Sequence, residues 1–222
     1  MPGEILYNVP VFPLNTVLFP SMPLPLHIFE ERYRAMVKDI QRGDRRFCVA
    51  LISEGQEVGG DAEPCQVACL AEVVHLQALA DGRYFLLAVG VERVRILSTG
   101  HNGKPYLTGN VEVWPDESAH IEPALVEDAS QLFSQYVDYI TKLSGQDPEK
   151  IPIPAEPDLL SYVLAAGLEM ESATRQRLLE MPGGRQRLET EVRMLRKELP
   201  MLRALAGSPQ PPGVGYGQFS AN

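Results

Sequence analysis

The first half of the chain alternates apolar and polar residues in short stretches. Two pairs of stretches flank a hairpin dipeptide: Leu76–Ala80 and Tyr84–Val91 lie on either side of Asp81-Gly82, and Val94–Leu97 and Tyr106–Val113 on either side of Asn102-Gly103. Alternation of period two is typical of half-buried strands, and both dipeptides favour the tight turns of antiparallel hairpins. The pattern therefore predicts an antiparallel meander.

Further strands and one helix complete this region. Val9–Leu14 and Phe47–Ile52 are candidate strands that bring the sheet to the size of a small, closed or nearly closed barrel. Gly90 interrupts the alternation, which predicts a bulge or a barrel corner there. The helix carries its apolar residues on one stripe, at Phe29, Tyr33, Met36, Val37 and Ile40. We expect it to plug one end of the barrel.

Beyond residue 118 the apolar residues follow helical spacing. A long first helix contains Leu125, Leu132, Phe133, Tyr136, Val137 and Ile140; Pro157 opens a second helix; a short third contains Leu178 and Leu179 and ends by Pro182-Gly183-Gly184. The last helix has a short heptad seam of Leu188, Val192, Leu195, Leu199 and Leu202. About two heptads are few for a coiled-coil dimer, so packing against the chain's own helices is favoured. Pro200 is expected to bend or end this helix.

These patterns divide the chain into three parts. We predict a β-barrel domain over residues 1–118, a helical bundle over 119–206 and a disordered tail over 207–222, where proline and glycine are frequent. The predicted fold class is α+β, an antiparallel barrel with an inserted helix followed by a C-terminal helical bundle.

The charge of the chain argues against a general affinity for phosphate. The formal net charge is −9, and residues 116–160 alone hold 10 acidic and 2 basic side chains. Acidic proteins repel nucleic acid unless basic residues cluster locally. No apolar stretch has the length of a membrane helix, and the N-terminal segment has no export signal. We therefore expect a cytoplasmic protein without a membrane partner.

No motif for catalysis or nucleotide binding is present. The sequence lacks a phosphate loop, a dinucleotide-binding glycine motif, H-E-x-x-H and G-x-S-x-G. We expect no enzymatic activity, no bound nucleotide and no cofactor. Cys48, Cys65 and Cys69 are an odd number of thiols, and Cys65 and Cys69 on one strand would stand about 13 Å apart, too far for a disulfide or a shared zinc ion. Free structural cysteines and no metal site are expected.

The run from Pro10 to Tyr33 alternates prolines with large apolar side chains. Proline has no N–H and fixes φ, so this run is expected to form edge strands and stiff loop, with some apolar side chains held outward. Phe19 and Met22 each precede a proline and are the candidate exposed contacts. The alternative is that both side chains cover the mouth of the barrel.

This run resembles the amino-terminal domain of Lon proteases, and especially bacterial proteins that consist of this domain alone. The resemblance rests on Phe12-Pro13-Leu14, Leu18-Phe19-Pro20, Leu24-Pro25-Leu26, Ile28-Phe29-Glu30-x-Arg32-Tyr33, Gly90-Val91-x-Arg93 and Leu178-Leu179-Glu180. It covers about residues 8–205 and implies a PUA-like β pseudobarrel followed by a helical bundle. The ATPase and Ser/Lys peptidase motifs of full-length Lon proteases have no counterpart in this sequence, so the resemblance implies no catalytic residue.

The resemblance implies that the protein binds unfolded or partner polypeptide, as an adaptor or chaperone-like protein. Phe19, Met22 and Arg93 are the predicted polypeptide-binding residues. The alternative is RNA binding through the PUA-like barrel, with phosphate contacts from Arg45, Arg46, Arg93 and Arg95. The net charge opposes that alternative.

Overall fold

The computed structural model describes residues 3–59, 62–145 and 152–207. Within these ranges the strands are β1 (Ile5–Leu14), β2 (Pro23–Ile28), β3 (Arg46–Gly55), β4 (Ala62–Pro64), β5 (Val67–Ala78), β6 (Tyr84–Gly100) and β7 (Thr108–Val113). The helices are α1 (Glu31–Ile40), α2 (Pro123–Ser144), α3 (Pro157–Gly167), α4 (Ser172–Leu179) and α5 (Gly184–Gly207). The α+β class is confirmed, with α1 inserted among the strands and the other helices following them.

Five strands form a closed ring. From β1 the ring passes through β7, β6, β5 and β3, whose neighbours pair antiparallel, and a parallel pairing of β3 with β1 closes it. The long strand β6 serves two partners on one edge, because β2 pairs with its first half and β7 with its second half. The predicted barrel is therefore confirmed as a PUA-like pseudobarrel, with β2 left as an edge strand.

Side chains that alternate along the ring strands belong to two different hydrophobic cores. One core fills the ring with residues from all five strands, among them Val11, Cys48, Leu70, Val94 and Val111. The alternate residues point to the opposite face of the strands. They pack with Met36, Val37 and Ile40 of α1 and include Phe12, Phe47, Cys69 and Ala71. The helix α1 thus covers the side of these strands, instead of the end of the barrel that the sequence suggested.

Both predicted hairpin turns are confirmed. Gly82 has φ +82° between β5 and β6, and Asn102 and Gly103 have φ +49° and +77° between β6 and β7. Positive φ at both Asn102 and Gly103 matches the turn type that follows strand twist, whereas in the first turn Gly82 has positive φ and Asp81 does not. The bulge predicted at Gly90 is also confirmed, because the register between β5 and β6 shifts where Gly90 faces Ala71 and Glu92 faces Leu70.

The helical part packs as a bundle. The seam of α5 is buried against α2 and α3, in one cluster with Phe133, Tyr136, Leu160 and Leu164. Packing of this seam against the chain's own helices is confirmed, and α5 continues through Pro200 to Gly207. The boundary predicted at residue 118 lies between β7 and α2, but the division into independent domains stays a prediction. The predicted tail lies outside the described residues from 208 onward.

The helices within the described ranges vary in length from the eight residues of α4 to the 24 of α5. None combines enough length with enough apolar character to cross a bilayer.

Candidate functional site

Phe19 is buried where the barrel meets the helices. Its side chain is 1% exposed, and its ring centroid lies 6.2 Å from that of Tyr162 on α3. The same buried cluster contains residues from both parts of the chain, namely Val17, Leu51, Val67, Ala165, Leu178 and Leu179. The predicted exposure of Phe19 is therefore wrong, because the helices cover the loop that carries it.

Met22 is half-buried and fixes the same loop through its backbone. Its carbonyl accepts a hydrogen bond from the Gly90 N–H at 3.0 Å, and its N–H donates to the Phe19 carbonyl at 3.2 Å. A Cβ at Gly90 would lie 2.3 Å from that Phe19 oxygen and 2.9 Å from Cys69 Sγ. Only glycine lets the loop approach β6 so closely. A role for Met22 in binding polypeptide stays a prediction.

Arg93 on β6 is also buried, at 1% exposure, and its guanidinium points to the helices. It donates to the carbonyl oxygens of Leu179 and Met181 at 2.8 and 2.5 Å and to that of Pro182 at 3.0 Å. These carbonyls lie at and just after the end of α4, where a helix leaves acceptors without intrahelical partners. Arg93 therefore holds the turn between α4 and α5 against the barrel, where a polypeptide cannot reach it as the sequence-based prediction requires.

The carboxylate of Asp116 joins Arg93 to Arg187 of α5. It forms an ion pair with each guanidinium, and its contacts with Arg187 measure 3.0 and 2.5 Å. The Tyr162 hydroxyl donates to the same carboxylate at 2.7 Å, and burial raises the pKa of that phenol. Both arginine side chains are inaccessible to solvent, and their ion pairs with Asp116 offset the free-energy cost of burying two positive charges.

Sequence reasoning missed Asp116, Tyr162 and Arg187, because no local motif marks a side chain whose partners are distant in the chain. The one available signal was the change of pattern after Trp114. Two guanidiniums contact the Trp114 ring, with Arg93 4.4 Å and Arg95 4.6 Å from its centroid. This segment therefore connects the barrel to the helices.

The four arginines considered for RNA do not act as one exposed set. Arg93 is buried, Arg46 and Arg95 are half-buried, and of the four only Arg45 is exposed. Phosphate binding requires cationic groups that a nucleic acid can reach. Arg93 cannot supply such a group in this arrangement.

An apolar face lies on the outer side of β2, β6 and β5. The register sets Pro23, Pro25 and His27 of β2 directly opposite Val89, Leu87 and Phe85 of β6, and Leu87 and Phe85 are in turn opposite His75 and Gln77 of β5. We call this surface the β2–β6 face. Leu24, Leu26 and Leu86, which alternate with these residues, turn inward to the core beneath α1.

Three exposed aromatic rings adjoin one another on the β2–β6 face. His27 stacks on Phe85 with ring centroids 4.9 Å apart and lies 5.9 Å from Phe29 on its other side. Phe85 and Phe29 remain 49% and 48% exposed. A cleft of about 450 Å³ beside them is lined by Pro25, His27, His75, Phe85 and Leu87, together with Leu26 and Leu86. Large exposed apolar groups that adjoin one another mark an interaction surface more often than an ordinary exterior.

The free edge of β2 is unsuited to adding another strand. The Gly90 N–H donates to the Met22 carbonyl, so the even-numbered residues of β2 direct their N–H and C=O groups toward β6. The odd-numbered residues direct theirs toward the free edge. Pro23 and Pro25 have no N–H to offer on that edge. The β2–β6 face therefore presents side chains rather than a backbone ladder.

The cysteines are positioned as structural groups. Cys48 and Cys69 are buried and unpaired, and burial raises the pKa of Cys48 to about 12 and that of Cys69 well above its ordinary value. Cys65 is half-buried, just before β5. In the described part of the chain, no three His, Cys, Asp or Glu side chains group in a way that could hold a metal ion.

These features define a pseudobarrel fused to a helical bundle, with the exposed apolar β2–β6 face on the barrel. A family model described as the ATP-dependent protease La (LON) substrate-binding domain matches residues 8–197. The chain belongs to this family. The resemblance noted in the proline-rich run is thereby confirmed over most of the chain.

Individual relatives agree with this assignment. The chain is 30% identical over 187 residues to "Lon protease 2" of Syntrophobacter fumaroxidans, covering 81% of this chain and 23% of that protein. It is 24% identical over 200 residues to "Lon protease" of Escherichia coli K12, covering 88% of this chain and 25% of that protein. The chain thus spans about a quarter of these curated relatives.

Two solved structures share the fold. One is a Lon N-terminal domain protein from Xanthomonas campestris, with a TM-score of 0.65 and 23% identity, covering 83% of this chain and 96% of the other. The second is the N-terminal domain of a Lon protease from the Mycobacterium avium complex, with a TM-score of 0.67 and 18% identity, covering 85% and 98%. Both likenesses bear on the fold alone.

Proposed function

We propose that this chain is a non-catalytic module that binds unfolded or partner polypeptide through the β2–β6 face, as an adaptor or chaperone-like protein. The observation that carries the proposal is the exposed aromatic group Phe29, His27 and Phe85 beside an apolar cleft, in a member of the LON substrate-binding family. Apolar side chains of an extended segment would fit this cleft and gain by leaving water.

The site differs from the residues predicted from sequence. Phe19 and Arg93 are covered by the chain's own helices, so a polypeptide cannot reach them in this arrangement. The exposed residues of the β2–β6 face lie a few positions further along the same proline-rich run and on its partner strand. The proposed partner is still a polypeptide, but the proposed contact residues are Phe29 and Phe85.

The test compares exposed apolar residues on two surfaces. The double variant F29S/F85S removes both phenyl rings from the β2–β6 face, and the matched control M201S/L205S removes two exposed apolar side chains from α5. With a dye-labelled unfolded casein as probe, fluorescence anisotropy should show binding about tenfold weaker for F29S/F85S and unchanged for the control. Aromatic anchors at interfaces commonly carry effects of this size.

The thermal midpoints of both variants should stay near that of the parent, because the substituted side chains are about half-exposed in the folded state. Equal loss of affinity in both variants, or none in F29S/F85S, would overturn the site assignment. Incubating purified protein with the same casein and ATP tests the non-catalytic part of the proposal, since fragments that increase with protein concentration would contradict it.

A further inference from the structure

The part of the sheet that carries the β2–β6 face has two edges, and they differ in what they offer a partner. On β2 the edge holds Pro23 and Pro25, which lack an N–H. On β5 the pairing with β3 ends where Arg46 faces Glu72, so no strand of the described ranges pairs with Val74–Ala78 on the side away from β6. We call these five residues the β5 edge. They include no proline, Asp, Glu, Lys or Arg, the residues that commonly block a free strand edge.

A depression lies against the β5 edge. It has a volume of about 390 Å³ and is lined by Gln41, Arg45, Val74, His75 and Leu76. His75 and Leu76 are consecutive and pair in regular register with β6, so their side chains point to opposite faces of the sheet. A depression that adjoins both of them lies beside the strand and not on one of its faces. It therefore occupies the position that a further strand of the sheet would take.

The chain turns away from this position at Arg45. The backbone of Arg45 is left-handed, with φ +63°. Its N–H donates to the Ile40 carbonyl at the end of α1 at 3.2 Å, and its carbonyl accepts from the Val73 N–H of β5 at 3.0 Å. The next residue begins β3. Arg45 is thus fixed by its backbone at one end of the β5 edge.

Arg45 also brings a positive charge to that end. Its side chain is exposed, and none of the ion pairs among the described residues includes it. The two nearest carboxylates in the fold are directed to Arg46, since Asp44 accepts from its N–H and Glu72 lies opposite it on β5. The Arg45 guanidinium can therefore pair with a carboxylate that an incoming segment carries.

We propose that the β5 edge receives an extended segment of the bound polypeptide as an added strand, with an acidic residue of that segment paired with Arg45. This inference rests on the proposed polypeptide binding. Backbone hydrogen bonds to β5 would hold segments of differing sequence, and their outward side chains would extend the β2–β6 face beside His75 and Gln77. A second copy of the chain lacks the required acid, because its own β5 edge contains no Asp or Glu.

Two labelled heptapeptides test the contact with Arg45. Both are blocked at their termini, and their sequences, ETFTFTT and TTFTFTE in one-letter code, carry the glutamate first or last. Because Arg45 lies at one end of the β5 edge only, one peptide should bind the full chain about two- to fivefold more tightly by fluorescence anisotropy, the range for one exposed ion pair. Arg45→Gln should abolish this difference. Arg42→Gln, which removes an exposed arginine that does not line the depression, should keep it.

Methylation of backbone nitrogens tests the added strand. In the tighter peptide, methyl groups on alternate nitrogens give two isomers, which block the N–H groups on one side of the peptide strand or on the other. A strand added to β5 pairs through one side only. One isomer should therefore lose about tenfold or more in affinity, and the other should keep most of it. Binding through side chains alone would affect both isomers alike.

The outcomes separate this inference from the proposed function. Absence of binding by the peptides and by labelled casein would overturn polypeptide binding itself. Casein binding that depends on Phe29 and Phe85, combined with equal behaviour of the two methylated isomers, would overturn strand addition and leave the β2–β6 site standing. A preference between the two peptides that persists in Arg45→Gln would overturn the acidic contact. In sedimentation velocity, a dimer that dissociates as peptide binds would assign the β5 edge to a second copy and overturn the proposed occupant.

Discussion

The Arg187 guanidinium of the last helix donates to both oxygens of the Asp116 carboxylate, at 3.0 and 2.5 Å. The same carboxylate pairs with Arg93, which reaches it from the barrel. A single acidic residue in the connecting segment thus neutralises two cations that are buried from opposite sides. This arrangement fixes the helices against the barrel and, with them, the turn that carries Phe19.

Replacing Asp116 should destabilise the whole chain. Asp116→Asn keeps the shape but leaves two buried guanidiniums without their counter-ion, which typically costs about 3–5 kcal/mol of unfolding free energy. Urea unfolding followed by circular dichroism measures the change. Asp81→Asn is the matched control, because the Asp81 pair with Arg83 is exposed, and it should leave the urea midpoint nearly unchanged. Similar midpoints for the two variants would contradict the structural role of Asp116.

Arg93 is expected to act on stability and not on binding. Arg93→Met removes the donor to three carbonyls and one of the two Asp116 ion pairs, so unfolding free energy should fall by about 3 kcal/mol. At a temperature where the variant is folded, its affinity for labelled casein should equal that of the parent. A tenfold loss of affinity in a folded Arg93→Met protein would restore the binding role predicted from sequence.

A methyl group at Gly90 should be poorly tolerated. The Cβ of Gly90→Ala would lie 2.3 Å from the Phe19 carbonyl oxygen, so the loop must move away from β6 and disturb the buried Phe19 ring. We expect a loss of about 2–3 kcal/mol, in the range for overpacked sites. Gly43→Ala is the control, since the nearest atom to its new Cβ would lie 3.9 Å away. Thermal unfolding of the two variants should differ by several degrees.

Glu191 makes stability depend on pH. Both carboxylate oxygens are buried without a hydrogen-bond partner among the described residues, and burial raises the pKa of Glu191 well above 4.5. Well below pH 4.5 the group is protonated in the folded and unfolded chains alike. As pH rises, the unfolded chain releases this proton first, so the folded state loses stability until its own pKa is passed.

Glu191→Gln mimics the protonated acid at every pH and should remove this loss. The thermal midpoint of the variant should match that of the parent well below pH 4.5 and exceed it by about 2 °C or more at pH 7, since ~1 kcal/mol corresponds to about 2–4 °C in a protein of this size. Glu189→Gln, whose exposed side chain pairs with Arg185, should show no such growing difference. If the thermal midpoints of Glu191→Gln and the parent differ by the same amount at every pH in this range, Glu191 is not the source of the pH dependence.

The thiols should differ in reactivity. Thiolates are the reactive species, and burial raises the pKa of Cys48 to about 12 and that of Cys69 well above its ordinary value. Cys65 is only half-buried, although burial and then the nearby Glu180 raise its pKa too. Titration of the folded protein with a thiol-specific chromogenic reagent should release one equivalent slowly, and three in urea. Cys65→Ser should remove the slow equivalent; its persistence would place the reactive thiol elsewhere.

Local patterns in the sequence were sufficient for the elements and their order. Gly82 in the first turn and Asn102-Gly103 in the second specify their hairpins by adopting positive φ. The stripe on α1 marks one buried helix face at Tyr33, Met36, Val37 and Ile40, but Phe29, which was expected on the same stripe, lies before the helix and is exposed. The proline-rich run indicated the family and an edge strand. These features are readable because each depends on residues within a few positions of one another.

The burial of individual side chains was decided by tertiary structure. Phe19 lies beside Pro20 in a loop whose sequence is compatible with exposure to solvent, but α3 and α4 cover it. Phe85 lies on a strand whose alternating pattern predicts half burial, and it remains exposed. Arg93 alternates with Val94 as a surface residue would, yet Asp116 and the end of α4 surround it. The sequence by itself determined the barrel, the bundle and the family. Which surface stays open depends on how the bundle packs against the barrel, through contacts between residues up to 157 positions apart.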